Sequence, residues 1–295
     1  MSTLPVKRVA LIARLKLPQA LSTLIEAAEW LAAHDSTPVI EAESARAAGL
    51  DTRWTTAPRE SFADGVDAVL AFGGDGTLLE AAGIVAHGAS DAPLIGVNLG
   101  RLGFLTEIDR SELTATLDDL IHGRGRIETR VMLEGRVESR GGQPTERLAL
   151  NDIVVTRSAL SRMTEMDITV DGQFVSEVKA DGLIVATATG STAYNLSAGG
   201  PIVHPSVDAL VLTPIAPHTL THRPLVLPAS AAVTLRPRID AQSDVIVTFD
   251  GQYGVRLTAG DLVHVRRAKR PLRLLRTSSR TYFEMLREKL KWGNS

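Results

Sequence analysis

The feature that narrows the fold most is a short apolar run that stops on glycine. Ala68 to Phe72 (AVLAF) reads as a buried strand, runs into Gly73-Gly74-Asp75-Gly76-Thr77, and gives way to helical character from Leu78 to Ala86. A strand that turns through glycine straight into a helix is how a βαβ unit begins, and the flanking sequence repeats the alternation. Val6 to Ala13 (VKRVALIA) predicts a first strand, and Leu21, Leu24, Ile25, Ala28 and Leu31 then recur at helical spacing. Pro38 to Glu41 and Leu94 to Val97 predict further strands. Ser111 is the predicted N-cap of a helix through Ile121, with Glu112 in its first turn. Residues 1–125 therefore predict a Rossmann-like α/β domain around a parallel sheet.

The texture changes near Arg126. Short β-rich runs follow at Val131 to Glu138, Leu148 to Thr156, Met166 to Val170, Phe174 to Val178, Leu183 to Ala186, Val233 to Arg238 and Val245 to Phe249. Asp171-Gly172 and Asp250-Gly251 are strong hairpin turns, because both residue types tolerate positive φ. Residues 126–265 predict an all-β antiparallel sandwich. The segment 266–295 ends in a helix over Tyr282 to Trp292 and is expected to return to the first domain.

Composition removes several classes of chemistry. Cysteine is absent, which excludes disulfides, thiol catalysis and Cys-ligated metal centres. Lys plus Arg is 32 against 34 acids, a net charge of −2, and aromatics are 4%, so neither a general polyanion-binding surface nor a base-stacking platform is expected. No apolar run has the ~18–20 residues needed to cross a bilayer, and Val9 to Ala13 is too short for a signal-peptide core. These readings point to a cytoplasmic protein without nucleic-acid or membrane partners. His218 and His222 stand four apart between Pro217 and Pro224, which argue for a loop over a metal-binding helix. The cations from Arg266 to Arg280 (Arg266, Arg267, Lys269, Arg270, Arg273, Arg276, Arg280) read as a solvated face.

The glycine turn carries the chemistry. Gly73, Gly74 and Gly76 let a backbone approach phosphate closely, and the helix that follows offers unpaired N–H groups and a positive dipole end. A carboxylate repels phosphate, so Asp75 implies a second role, either accepting a proton from a substrate hydroxyl or holding a cation that itself sits on phosphate. The plain alternative is a tight turn in which Asp75 caps the helix. A Walker loop is excluded because no Gly-Lys pair occurs, and Leu79 stands where a dinucleotide fingerprint has its third glycine.

The Gly-Gly-Asp-Gly-Thr stretch resembles the loop shared by NAD kinases, diacylglycerol and sphingosine kinases and phosphofructokinases. Three further stretches resemble the NAD kinases in particular: Asn98 to Leu105 (NLGRLGFL), Asn151-Asp152 within LALNDIVV, and Asp181 to Pro205 (DGLIVATATGSTAYNLSAGGPIVHP). The resemblance spans roughly Val6 to Val265. It implies an enzyme that phosphorylates the adenosine ribose 2′-hydroxyl of NAD at the expense of ATP, with Mg2+ or another divalent cation accompanying the nucleotide. Asp75 would be catalytic, and Gly73, Gly74, Gly76 and Thr77 would meet the phosphates of ATP. Phe104, Asn151, Asp152, Lys179, Asp181, Thr189, Thr192, Ala193, Tyr194, Asn195, Leu196 and Ser197 would bind substrate, joined by Arg162 and Gln252 on weaker motif support. The resemblance also implies a homo-oligomer, a dimer or tetramer. Three positions depart from the family: Ala188 replaces Pro, Asp152 replaces Glu and is one methylene shorter, and Lys179 replaces Arg and offers a point charge in place of a fork. Two other readings stay open on the residues alone, a lipid or sugar kinase with the same glycine loop and a non-catalytic NADP(H)-binding sensor.

Overall fold

A computed structural model describes residues 6–292 except 51, 89, 101–102, 140–141, 159–162, 220, 241–243 and 278–279. The chain divides into two compact units, residues 1–129 with 272–295, and residues 130–271.

The first unit is built on strands β1 (Arg8–Ala13), β2 (Thr37–Glu41), β3 (Thr55–Ala57), β4 (Ala68–Gly73), β5 (Leu94–Asn98), β6 (Ile108–Asp109) and β7 (Arg126–Arg130). They form one sheet in the order β3-β2-β1-β4-β5, continued by the strand Leu272–Arg276 from the far end of the chain and then by β7, with β6 beside β5. β1, β2, β3, β4 and β5 run parallel. All six residues of β4 are buried, which fits a strand covered on both faces by helices. Helix α1 (Pro18–Ala33) starts with proline in its first turn and buries Ala20, Leu24, Ala27, Ala28 and Leu31 along one stripe. Helices α2 (Ala42–Ala48), α3 (Asp75–His87) and α4 (Leu113–Ile121) follow.

The start of α4 differs from the sequence expectation. A 3-10 turn, Arg110–Glu112, precedes it, and Asp109 takes the cap position in place of Ser111. The Glu112 carboxylate reaches back to accept the Asp109 N–H at 2.9 Å. A capping box moves the start two residues upstream because Glu112 has a donor to satisfy there and Ser111 does not.

The second unit contains two six-stranded antiparallel sheets. Its strands are β8 (Leu133–Glu138), β9 (Thr145–Ala149), β10 (Asp152–Arg157), β11 (Thr164–Val170), β12 (Gln173–Ala180), β13 (Gly182–Thr187), β14 (Ala209–Ile215), β15 (Leu225–Pro228), β16 (Val233–Arg238), β17 (Val245–Phe249), β18 (Tyr253–Leu257) and β19 (Leu262–Arg267). One sheet runs β15-β14-β13-β10-β17-β18 and the other β12-β11-β16-β19-β8-β9. Val155, Val185 and Val247 of the first sheet share a core with Met166, Leu235 and Val263 of the second. On the outer face of the first sheet, Val154, Ile184 and Val211 pack under Ala198 and Val203. Both predicted Asp-Gly turns have positive φ at their two central residues, 49° and 77° at Asp171 and Gly172, 50° and 65° at Asp250 and Gly251. This is the backbone twist that a two-residue hairpin requires.

The single strand expected over Leu148 to Thr156 is two strands in different sheets, β9 and β10. The chain changes sheet at Leu150-Asn151. There the Asp250 carboxylate accepts the N–H groups of Leu150, Asn151 and Asp152 at 2.8, 2.7 and 3.0 Å, replacing the ladder partners a continuous strand would supply.

Candidate functional site

In the first unit the sheet order reverses at β1: the chain leaves it toward β2 and β3, then returns to its other side with β4 and β5. Such a switch point opens a crevice at the carboxyl ends of the two central strands, and in open α/β sheets ligands bind there. The carboxyl end of β4 is Gly73, and the end of β1 leads into Arg14, whose N–H donates to the Phe72 carbonyl at 2.9 Å. The glycine turn predicted to meet phosphate therefore lies at the switch point, with an exposed cation on the opposite lip.

Close packing explains the glycine at 73. A Cβ there would come within 2.3 Å of the Thr77 Oγ1 and 3.3 Å of the Arg14 Cβ. A Cβ at Gly74 or Gly76 would meet nothing within 4 Å, so packing does not demand glycine at these two positions at the start of the 13-residue α3. Thr77 is buried in the first turn of that helix.

Asp75 does not cap its own helix. Its side chain crosses to the segment 103–106, where Oδ1 accepts the N–H of Leu105 at 3.1 Å, the N–H of Thr106 at 3.0 Å and the Thr106 hydroxyl at 2.9 Å. Oδ2 accepts the Phe104 N–H at 2.8 Å. Gly103 makes this possible: a Cβ at that position would lie 1.9 Å from Asp75 Oδ1. With three donors Oδ1 is saturated, whereas Oδ2 keeps a lone pair for a further partner. Glu107, next in the chain after this segment, pairs with Arg276, which is 8% exposed and also lies 3.3 Å from Glu128. Burial pushes the Arg276 guanidinium down to about 10, against the opposing pull of the Asp75 charge. Phe104 lies beneath the Lys289 ammonium, 5.7 Å from the ring centre.

In the second unit the segment 187–200 is held from within. The Thr187 hydroxyl donates to the Leu150 carbonyl at 2.6 Å and accepts the Gly190 N–H at 3.0 Å. Gly190 packs on Asn151, whose carbonyl would lie 2.1 Å from a Cβ there. The Ser191 hydroxyl bridges the Ala188 and Val203 carbonyls. Thr189 is buried, Thr192, Ala193 and Leu196 are half-buried, and Ser197 is exposed. Tyr194 leaves 45% of its surface open. Asn151 and Asp152 border this loop, with Asp152 paired to Ala186 of β13. Gln252 lies on the adjacent turn, two residues beyond Asp250.

Asp152 is 5% exposed, and burial together with the neighbouring Asp250 charge pushes its carboxyl up to about 7. Burial also raises Asp250, but three backbone N–H groups oppose that rise. The N–H groups hold Asp250 toward its charged form, whereas burial and a like charge hold Asp152 toward its protonated form.

Some expected site residues stand elsewhere. Asn195 is fully buried, its amide donating to the Ser191 and Pro201 carbonyls and its carbonyl accepting the Thr213 hydroxyl at 2.6 Å. Its side chain ties the loop down, and Oδ1 keeps a second lone pair beside the Thr213 hydroxyl. Asp181 precedes β13 and Thr187 ends it, so roughly 20 Å of extended chain separates this carboxylate from the loop. Asp181 pairs with Arg157 at 2.6 Å. Lys179, on β12 of the other sheet, pairs with Glu165 at 2.8 Å. Arg162 lies outside the described residues.

Sequence reasoning passed over Arg276, grouping it with a solvated basic face. Its neighbours held the signal: Leu272, Leu274 and Arg276 alternate, and the first two are buried, so the third shares their inward face. Other cations of that stretch are paired, Arg266 with Glu134, Arg267 with Asp208 and Arg280 with Asp109. Gly103 and Asp250 were also missed, because the backbone groups they serve are distant in sequence.

Residues 9–125 match the ATP-NAD kinase N-terminal domain and residues 150–277 the ATP-NAD kinase C-terminal domain. The chain is 45% identical to an NAD kinase of Geobacter sulfurreducens over 97% of its own length and 99% of that protein. It is 42% identical to an NAD kinase of Moorella thermoacetica over 98% and 91%. The crystal structure of yeast NADH kinase complexed with NADH aligns with a TM-score of 0.89 at 27% identity, covering 99% of this chain and 89% of that one. An NAD kinase from Archaeoglobus fulgidus in complex with ATP shares the fold, with a TM-score of 0.72 at 24% identity over 96% and 98%.

Proposed function

Since the chain belongs to the NAD kinase family, we propose that it is an ATP-dependent kinase that phosphorylates the 2′-hydroxyl of the adenosine ribose of NAD, giving NADP and ADP. The observation that carries this reading is the Asp75 carboxylate at the switch point, fixed by four donors of the described residues, one of them on Oδ2. Phosphoryl transfer to a hydroxyl requires a group that takes the proton as the oxygen attacks. Its loose transition state leaves most of the acceleration to positioning and charge neutralisation. In this reading Oδ2 receives the 2′-hydroxyl proton while Oδ1 and its three donors keep the carboxylate from turning. The α3 N-terminus, with the glycine turn before it, and Arg14 receive the phosphates of ATP.

A divalent cation would enter on the triphosphate and take most of its ligands from phosphate and water. Such a cation would neutralise phosphate charge, and the chain's own residues need only hold the nucleotide. Dinucleotide binding falls to the loop from Thr189 to Ser197 with Asn151 and Asp152, where Tyr194 offers a ring face and the Asn151 and Asp152 side chains suit ribose hydroxyls. We place the reaction in the cytoplasm, as a step of NADP biosynthesis. We also read the protein as a homo-oligomer, a dimer or tetramer, in which Lys179 and Asp181, set apart from the loop of their own chain and paired with Glu165 and Arg157, serve a neighbouring copy.

The test is NADP formation from NAD, ATP and Mg2+, followed with an NADP-specific dehydrogenase. Asp75→Asn should lose at least ~10²-fold in kcat, the usual contribution of a general base, while still binding NAD. Near-normal turnover of that variant, or transfer to another acceptor, would overturn the assignment.

A further inference from the structure

We propose that Arg276 is a positioning residue for phosphoryl transfer: from the strand Leu272–Arg276 it pairs with Glu107 and so fixes the turn whose N–H groups hold the Asp75 carboxylate. The proposal rests on the reading of Asp75 as the group that takes the proton.

Strand alternation delivers the guanidinium inward, on the face that Leu272 and Leu274 bury. A guanidinium at 8% exposure needs partners, and it has Glu107, 4% exposed, and Glu128. Glu107 follows directly on Phe104, Leu105 and Thr106, the three residues whose N–H groups bind Asp75. The ion pair therefore anchors the cradle from behind, one residue from its last donor. The Asp75 charge also acts on Arg276, opposing the lowering that burial brings. Stability alone does not account for this arrangement. Buried ion pairs add little net stability, and an apolar third residue would continue the face begun by the two leucines.

Other charges surround Asp75. Arg14 approaches from the end of β1, its Cβ 3.3 Å from where a Gly73 Cβ would stand. Lys289 of the C-terminal helix lies over Phe104, and Glu107 and Glu128 share Arg276. Arg276 is the buried cation of this group.

The experiment compares Arg276→Gln and Arg276→Lys with the parent and Asp75→Asn, with rates taken per NAD-binding site. Arg276→Gln should lose on the order of 10²-fold in kcat, the loss a misplaced catalytic group brings, with KM for NAD and ATP unchanged. Arg276→Lys keeps the charge and can keep one ion pair, so part of kcat should return. A role confined to packing would reduce the folded fraction and leave kcat per NAD-binding site at the parental value. Parental kcat per site in Arg276→Gln, a rise in KM in place of the fall in kcat, or a Lys variant no better than the Gln variant, overturns the proposal. Should Arg276→Gln fail to fold, the same change is made in Glu107→Gln, where no buried carboxylate is stranded on that side. The double variant must again lie far below the parent in kcat per site, and a parental kcat there overturns the proposal. Retained turnover in Asp75→Asn overturns the Asp75 reading itself, whereas loss there with parental kcat in Arg276→Gln overturns this proposal alone.

Discussion

Replacing Asp152 by asparagine should stabilise the protein at neutral and alkaline pH and do little in acid. The carboxyl is buried beside Asp250, and its proton affinity rises from an ordinary value of 3.8 to about 7 in the folded chain. Between those values the folded state binds a proton that the unfolded state has released. Unfolding free energy therefore falls as pH rises through the window from about 4 to about 7, and levels off above it. The window is about three pH units wide, and at ~1.4 kcal/mol per unit the full effect is about 4 kcal/mol. Water reaching the buried pair reduces that figure, so it is an upper bound. Asparagine keeps the shape and cannot ionise, so its advantage should open from near zero at the acid end to its full size above neutrality. Urea denaturation followed by far-UV circular dichroism, at about pH 5 and about pH 8, reads this as a shift in midpoint. Trp30, Trp54 and Trp292 all belong to the first unit, so tryptophan fluorescence provides an internal reference while Asp152 titrates in the second. Midpoints of parent and variant that keep a constant separation between the two pH values would refute the assignment of the proton to Asp152.

Gly103→Ala should leave NAD binding intact and lower kcat on the order of 10²-fold, because its Cβ would lie 1.9 Å from Asp75 Oδ1 and must displace the carboxylate. Unchanged kcat would show that the cradle at 103–106 is dispensable. Arg14→Gln should raise KM for ATP about tenfold, the value of one charge-assisted contact to phosphate, and leave KM for NAD alone. An unchanged KM for ATP would remove Arg14 from the donor site.

Patterns of short range were legible in the sequence. The buried run before Gly73 and the recurring Leu21, Leu24, Ala28 and Leu31 identify β4 and α1, because period and burial arise within one element. Asp171-Gly172 and Asp250-Gly251 identify their turns for the same reason. What escaped depends on partners distant in the chain. Leu148 to Thr156 reads as one apolar run, and only Asp250, about 100 positions on, reveals why it breaks at Asn151. Asn195 sits in a motif that resembles a ligand loop, yet Thr213 and Pro201 claim its amide. Arg276 carries a cation's label and a core residue's position, and the two leucines beside it were the better guide.

The two carboxylates most important to the proposed reaction, Asp75 and Asp152, are set apart by what their backbone surroundings offer. A turn at 103–106 presents three N–H groups and a hydroxyl to Asp75, and the residue that follows the turn, Glu107, is paired with a buried guanidinium. The comparable N–H groups at 150–152 go to Asp250, leaving Asp152 with burial and a like charge. Surroundings that differ in this way suit the two acids to different roles. Asp152 with a proton available near neutrality can donate to a sugar oxygen as well as accept from one, which is the work of a binding residue. Asp75, whose donors fix it in place, is suited to meet the oxygen that reacts. Their asparagine variants should therefore fail differently, Asp75→Asn in kcat with NAD still bound, Asp152→Asn in NAD affinity with the rate at saturation largely kept. If instead both variants lost only affinity, the proton of the attacking hydroxyl would have to leave by a route that uses neither acid.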